Sequence, residues 1–110
     1  MKYLCLIYSD EKRIASMPET EHNAAVNEYM AFTESIEKSG HLIASQRLQP
    51  THAATTIRSR NGKVSTTDGP FAETREQLGG YFLIEAKDLD EAIGIAARIP
   101  SARSGTIEVR

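Results

Sequence analysis

Residues 3 to 8 are apolar on both alternating faces, with Tyr3, Cys5 and Ile7 on one and Leu4, Leu6 and Tyr8 on the other. That loading predicts a strand covered on both sides. After a polar loop, Ser16-Met17-Pro18-Glu19 has the Ser-x-x-Glu spacing of a capping box with a proline in the first turn. A helix is expected from there. Its buried stripe is Ala25, Tyr29, Phe32 and Ile36, with Val26 and Met30 beside it, and Lys38 and Gly40 supply its C-terminal signals. A short apolar run at 41–45 predicts a second strand, and Gln49-Pro50-Thr51-His52 a connection.

Asn61-Gly62 is the dipeptide best suited to a two-residue type I′ turn, and it joins 55–60 to 63–67 as a surface hairpin. In that register Ile57, Ser59, Val64 and Thr66 share one face and the other face is polar. Residues 79–86 are a strand again loaded on both faces, so it belongs at the centre of a sheet. Asp88-Leu89-Asp90-Glu91 opens a second helix with Leu89, Ala92, Ile93 and Ala96 inward, and Pro100 ends it. Residues 106–110 alternate as a last strand with one buried face. The order strand, helix, strand, hairpin, strand, helix, strand predicts an α+β fold, a ferredoxin-like split β-α-β subunit with an inserted hairpin.

Both helices would cover one face of that sheet, while two of its strands are apolar on both. We expect a homodimer packed sheet to sheet. The alternative is a monomer whose hairpin folds over the open face.

Composition narrows the classes. A chain of 110 residues is one domain, residues 1–110, and hides roughly 65% of its unfolded surface, enough for a core without disulfides or metal. Thirteen basic and fifteen acidic residues, for a net charge of -2, argue against nucleic acid or anionic membrane as a partner. Cys5 is the only cysteine, and its place in a central strand reads as a small buried hydrophobe. With no apolar run long enough for a signal peptide or a span, a soluble cytoplasmic protein is expected.

Candidate chemistry concentrates between the hairpin and the next strand. Asp68-Gly69-Pro70-Phe71 combines two turn formers with an apolar anchor, and Asp68, Glu73, Arg75 and Glu76 place three carboxylates and a guanidinium within nine residues. Tyr29 is a core tyrosine or a hydrogen-bond donor to a ligand. His22, His41 and His52 lack metal-ligand spacing, and neither a nucleophile elbow nor a phosphate-binding glycine pattern occurs, so no metal and no cofactor are expected. Arg47, Arg58, Arg60 and Lys63 form the one basic cluster, without the interleaved aromatics of a single-strand binder.

The run Asp68-Gly69-Pro70-Phe71-Ala72-Glu73-Thr74, followed by Gln77-Leu78-Gly79-Gly80-Tyr81-Phe82-Leu83-Ile84-Glu85, resembles the DGPF branch of the YCII-related family. The likeness extends through Asp88-Leu89-Asp90-Glu91-Ala92 and Ile99-Pro100 to Ile107-Glu108-Val109-Arg110. It implies a dimeric α+β barrel of ferredoxin-like subunits. It also implies either enzymatic activity, from a His and Asp pair in the wider group, or a role around sigma-factor-dependent transcription initiation. The pair does not carry over, because Tyr29 stands at the counted His position and Ile99 at the Asp position. Two functions are therefore expected. One is a cleft where Tyr8, Tyr29, Asp68, Glu73 and Arg75 meet a small polar or anionic molecule, with Arg75 holding an anionic group and Asp68 or Glu73 accepting a proton. The other is a non-catalytic interaction module for a sigma-factor partner.

Overall fold

The doubly apolar run at the start forms β1 (Lys2–Ser9), and the second such run forms β5 (Gln77–Glu85), its antiparallel neighbour. β2 (Leu42–Arg47) and β6 (Thr106–Val109) pair at the outer edges to give a four-stranded sheet in the order β2-β5-β1-β6. The computed structural model describes residues 1–110. Its antiparallel sheet carries both long helices on one side, so the chain has the α+β architecture expected from its element order. No helix is long and apolar enough to cross a membrane.

The helices are α2 (Glu19–Lys38) and α3 (Leu89–Ala96). Beneath them Cys5, Ile7, Phe82 and Ile84 from the sheet meet Phe32, Ile36, Ala92, Ile95, Ala96 and Ile99 in one core. Asp88 caps α3 by accepting a hydrogen bond from the Glu91 N–H at 2.9 Å. Its buried face holds Ala92, Ile95 and Ala96, whereas Leu89 and Ile93 are half exposed. The inward stripe is thus rotated from the expected one, because Ile95 and Ile99 fill the space against the sheet. Pro100 opens a 3-10 turn, Pro100–Arg103, after the helix has ended.

The start of α2 differs from expectation in a way that matters for function. Residues 11–15, expected as loop, form a short helix, α1 (Glu11–Ala15), whose N-cap Asp10 accepts from the Lys12 N–H at 3.0 Å. Ser16 closes that helix by donating its hydroxyl to the Arg13 carbonyl, so it is not available to cap α2. Pro18 stands at the α2 N-cap with no side-chain bond. Val26 and Met30, placed beside the core by periodicity, are exposed, and of the whole helix only Phe32 and Ile36 are buried. The first half of α2 therefore overhangs the sheet without packing on it.

The hairpin forms as read. β3 (Thr55–Arg60) and β4 (Lys63–Asp68) pair in the expected register, with Ile57 opposite Thr66 and Ser59 opposite Val64. Asn61 at φ 53° and Gly62 at φ 76° make the turn, a backbone region that glycine and asparagine tolerate best. These strands pair only with each other, and Ile57 and Val64 remain 66% and 70% exposed. The hairpin is an arm and does not cover the open face of the sheet. It helps to raise the radius of gyration to 16.0 Å, against about 13 Å for a compact domain of this size.

Candidate functional site

Where α2 overhangs the sheet, a cleft of about 1360 Å³ opens. It exceeds the roughly 300–1,000 Å³ of ordinary ligand sites and is open along one side. Ile7, Gly80 and Phe82 form its floor, and Val26, Tyr29, Met30 and Thr33 of α2 overhang it. The connection at 48–52 and the 3-10 turn after α3 supply the rims.

Polar contacts fix those rims. The Glu11 carboxylate accepts from the Thr51 N–H at 2.9 Å and from the Thr51 hydroxyl at 2.7 Å, which ties the connection to α1. The Glu11 N–H donates in turn to Gln77 Oε1 at 2.9 Å, which ties α1 to β5. On the far rim Arg103 pairs with Glu28 of α2, and Arg13 donates to Ser104 Oγ at 3.1 Å.

Tyr29 is held at the centre. Its ring lies parallel to Phe82, with centroids 6.5 Å apart and planes 5° from coincidence, while Phe32 meets Phe82 edge-on at 5.1 Å. Such stacking fixes ring orientation and leaves the hydroxyl to find a polar partner. That partner is Ser101, whose Oγ shares a hydrogen bond with Tyr29 Oη. A hydroxyl pair of this kind can donate to and accept from a bound polar group.

Gly80 shapes the floor. A Cβ there would lie 2.8 Å from the Gln46 carbonyl oxygen, so β5 approaches β2 closely only because this residue is glycine. In the strand register Arg47, Gly80 and Ile7 form one row on the helix side, with no side chain between Arg47 and Ile7.

The five residues singled out from the sequence do not meet within one chain. Tyr29 lines the cleft. Tyr8 lies on the opposite face of the sheet, its hydroxyl donating to Glu108 at 3.4 Å. Asp68 ends β4, and Glu73 and Arg75 follow in the loop, all three exposed. Phe71, expected as an anchor, is 79% exposed and anchors nothing in its own chain. The backbone of that turn is nonetheless fixed: the Gly69 N–H donates to the Ala54 carbonyl at 2.7 Å, and the Thr56 hydroxyl to the Gly69 carbonyl at 2.8 Å. His22 and His52 line the cleft, while His41 bonds Ser39 and Glu91 at the start of β2. No group of three or more His, Cys, Asp or Glu is placed to hold a metal ion.

Ser101 and Arg13 escaped the sequence reading, Arg47 entered it only as a member of the basic cluster, and Gly80 only within the run that resembles the DGPF branch. Only Ser101 had a signal within reach, because it lies two residues after Ile99, the position already compared with the wider group's aspartate. Ile99 itself is buried in the core, so the residue that reaches Tyr29 is the one beyond Pro100.

The model of the YCII-related domain matches residues 1–110, the whole chain. The chain belongs to the YCII-related family. It is also 38% identical over 112 residues to an uncharacterized protein of Rhizobium meliloti (strain 1021), a match spanning 100% of this chain and 90% of that protein. In this YCII-related chain the Tyr29 and Ser101 hydroxyls bond each other directly where both residues line the cleft.

Proposed function

We propose that this YCII-related protein is a cytoplasmic homodimer that binds a small polar molecule in the cleft beneath α2. The observation that carries the reading is the Tyr29 and Ser101 hydroxyl pair, with the Tyr29 ring held by stacking on Phe82 of the cleft floor. A fixed, half-enclosed pair of hydroxyls beside apolar walls fits the usual make-up of a ligand site, mostly apolar with a few placed polar groups. Asp68, Glu73 and Arg75 enter this reading only if a second copy brings their loop near the cleft.

The homodimer is supported by surface area. The single chain exposes 7787 Å², against about 6,000 Å² expected for a monomer of its mass. Part of the excess is the protruding hairpin, and the remainder is area that a partner copy would hide. Leu4, Leu6, Tyr81 and Leu83 on the uncovered sheet face are the natural contact.

The cleft reading is tested by screening small polar molecules by ligand-observed NMR and repeating the screen on the Tyr29→Phe, Ser101→Ala double variant. Hits that lose about tenfold or more in affinity support it, the size expected for losing a hydrogen-bonding pair. Hits that bind both proteins equally would remove the hydroxyl pair from the site.

A second reading draws on the arm. Ile57, Val64 and Phe71 are large apolar residues exposed on the hairpin and the loop after it, as on a docking surface for a protein such as a sigma factor. Charge reversal at Arg58 and Arg60 would weaken such docking while sparing the cleft. An unchanged sigma-factor affinity would count against it.

A further inference from the structure

We infer that the ligand of the cleft is a small organic anion, a carboxylate carried on an apolar body, with its charge received by Arg47, the neighbour of Gly80 in the strand register. This rests on the cleft reading above and adds the class of ligand.

Charge bookkeeping at the site points there. Five glutamates line the cleft: Glu11, Glu21, Glu28, Glu34 and Glu37. Glu28 is paired with Arg103 and Glu34 with Lys38 at 2.9 Å, while Glu11 keeps its charge on the rim with both oxygens bonded by the Thr51 N–H and hydroxyl. Glu21 and Glu37 remain, each eight residues along α2 from Tyr29, about 12 Å along the helix axis. That exceeds the Debye length of about 8 Å at physiological salt, so both are largely screened from the level of Tyr29 on the helix.

The guanidiniums are distributed differently. Arg47, Arg13 and Lys12 line the cleft and belong to none of the chain's ion pairs, and of the three Arg13 and Arg47 carry the planar fork that matches a carboxylate. Arg13 is occupied by the Ser104 hydroxyl, a neutral partner, whereas Arg47 stands in the row with Gly80 and Ile7. A guanidinium without a carboxylate partner, lining the same cleft as the Tyr29 and Ser101 hydroxyls, is a receptor for a planar carboxylate, which it can hold in a bidentate pair. Ile7 and Phe82 on the floor take the apolar body.

Benzoate and benzamide test this, because they share a ring and a planar head and differ in charge. Each is titrated into the ¹⁵N-labelled full chain while the amides of Ser9, Gly80 and Ser101 are followed. The expected result is that both move those amides and that benzoate binds at least tenfold more tightly. Arg47→Gln should then bring benzoate down to the affinity of benzamide and leave benzamide unchanged. Equal binding of the two probes, or a benzoate advantage that survives Arg47→Gln, overturns the anion assignment while the cleft stands. If neither probe moves those amides, the cleft reading fails and this inference with it.

Discussion

The two faces of the sheet are alike in residue type and unlike in circumstance. On the helix side Cys5 and Ile84 are fully buried. Their neighbours Leu4, Leu6, Tyr81 and Leu83, one position along the same strands, point the other way and are only half-buried. Strand composition therefore predicts cover on both faces, but the chain supplies helices for one. The helix side is itself divided, since α3 and the end of α2 seal the core while the start of α2 leaves the cleft open. In the proposed dimer another copy of the chain would close the second face, and the cleft beneath α2 would take the ligand.

The largest expected effect breaks the sealed face. Ile84→Ala should cost about 2–5 kcal/mol in urea unfolding at every protein concentration, the usual range for emptying a buried aliphatic site. A cost under 1 kcal/mol would show that this core is loosely packed. Leu6→Glu strikes the other face and should convert dimer to monomer in sedimentation velocity with the helical signal retained, because a carboxylate would be buried unpaired between the sheets. An unchanged sedimentation coefficient would leave that face in contact with water.

Weakening the cover is expected to do less. Asp88→Ala removes the α3 N-cap and should lower stability by about 1 kcal/mol, read as a shift of the urea midpoint with unchanged slope. No shift would mean that packing alone holds the helix start. The smallest effect, absent at neutral pH, comes from Cys5. Burial holds its thiol pKa above the ordinary value. Above about pH 8.5 the unfolded chain releases that proton and the native chain retains it, so the unfolded state gains and stability falls as pH rises. Cys5→Ala should flatten the fall between pH 8.5 and 10, and an equal fall in the variant would assign it to other groups.

Much of this architecture was legible because it rests on local chemistry. The split order of strands and helices, the Asn61-Gly62 turn and the Asp88 cap each depend on residues adjacent in sequence. α1 was missed because Ser16 fits two roles, and the choice between them follows from Asp10 starting a helix six residues earlier. The Asp68-Gly69-Pro70-Phe71 segment was legible as a turn, yet Asp68, Glu73 and Arg75 in and after it are exposed and lie outside the cleft that Tyr29 lines. The cleft was hidden for the opposite reason. Arg47, Gly80, Tyr29 and Ser101 come from four elements, and only strand register and the lift of α2 bring them together.

The most direct measurement is native mass spectrometry of freshly purified full-length protein, which weighs the assembly and any retained molecule together. The account predicts a species of twice 12.1 kDa that carries added small-molecule mass, with Leu6→Glu halving the assembly and Arg47→Gln shedding the adduct. A bare 12.1 kDa monomer at micromolar concentration would contradict it.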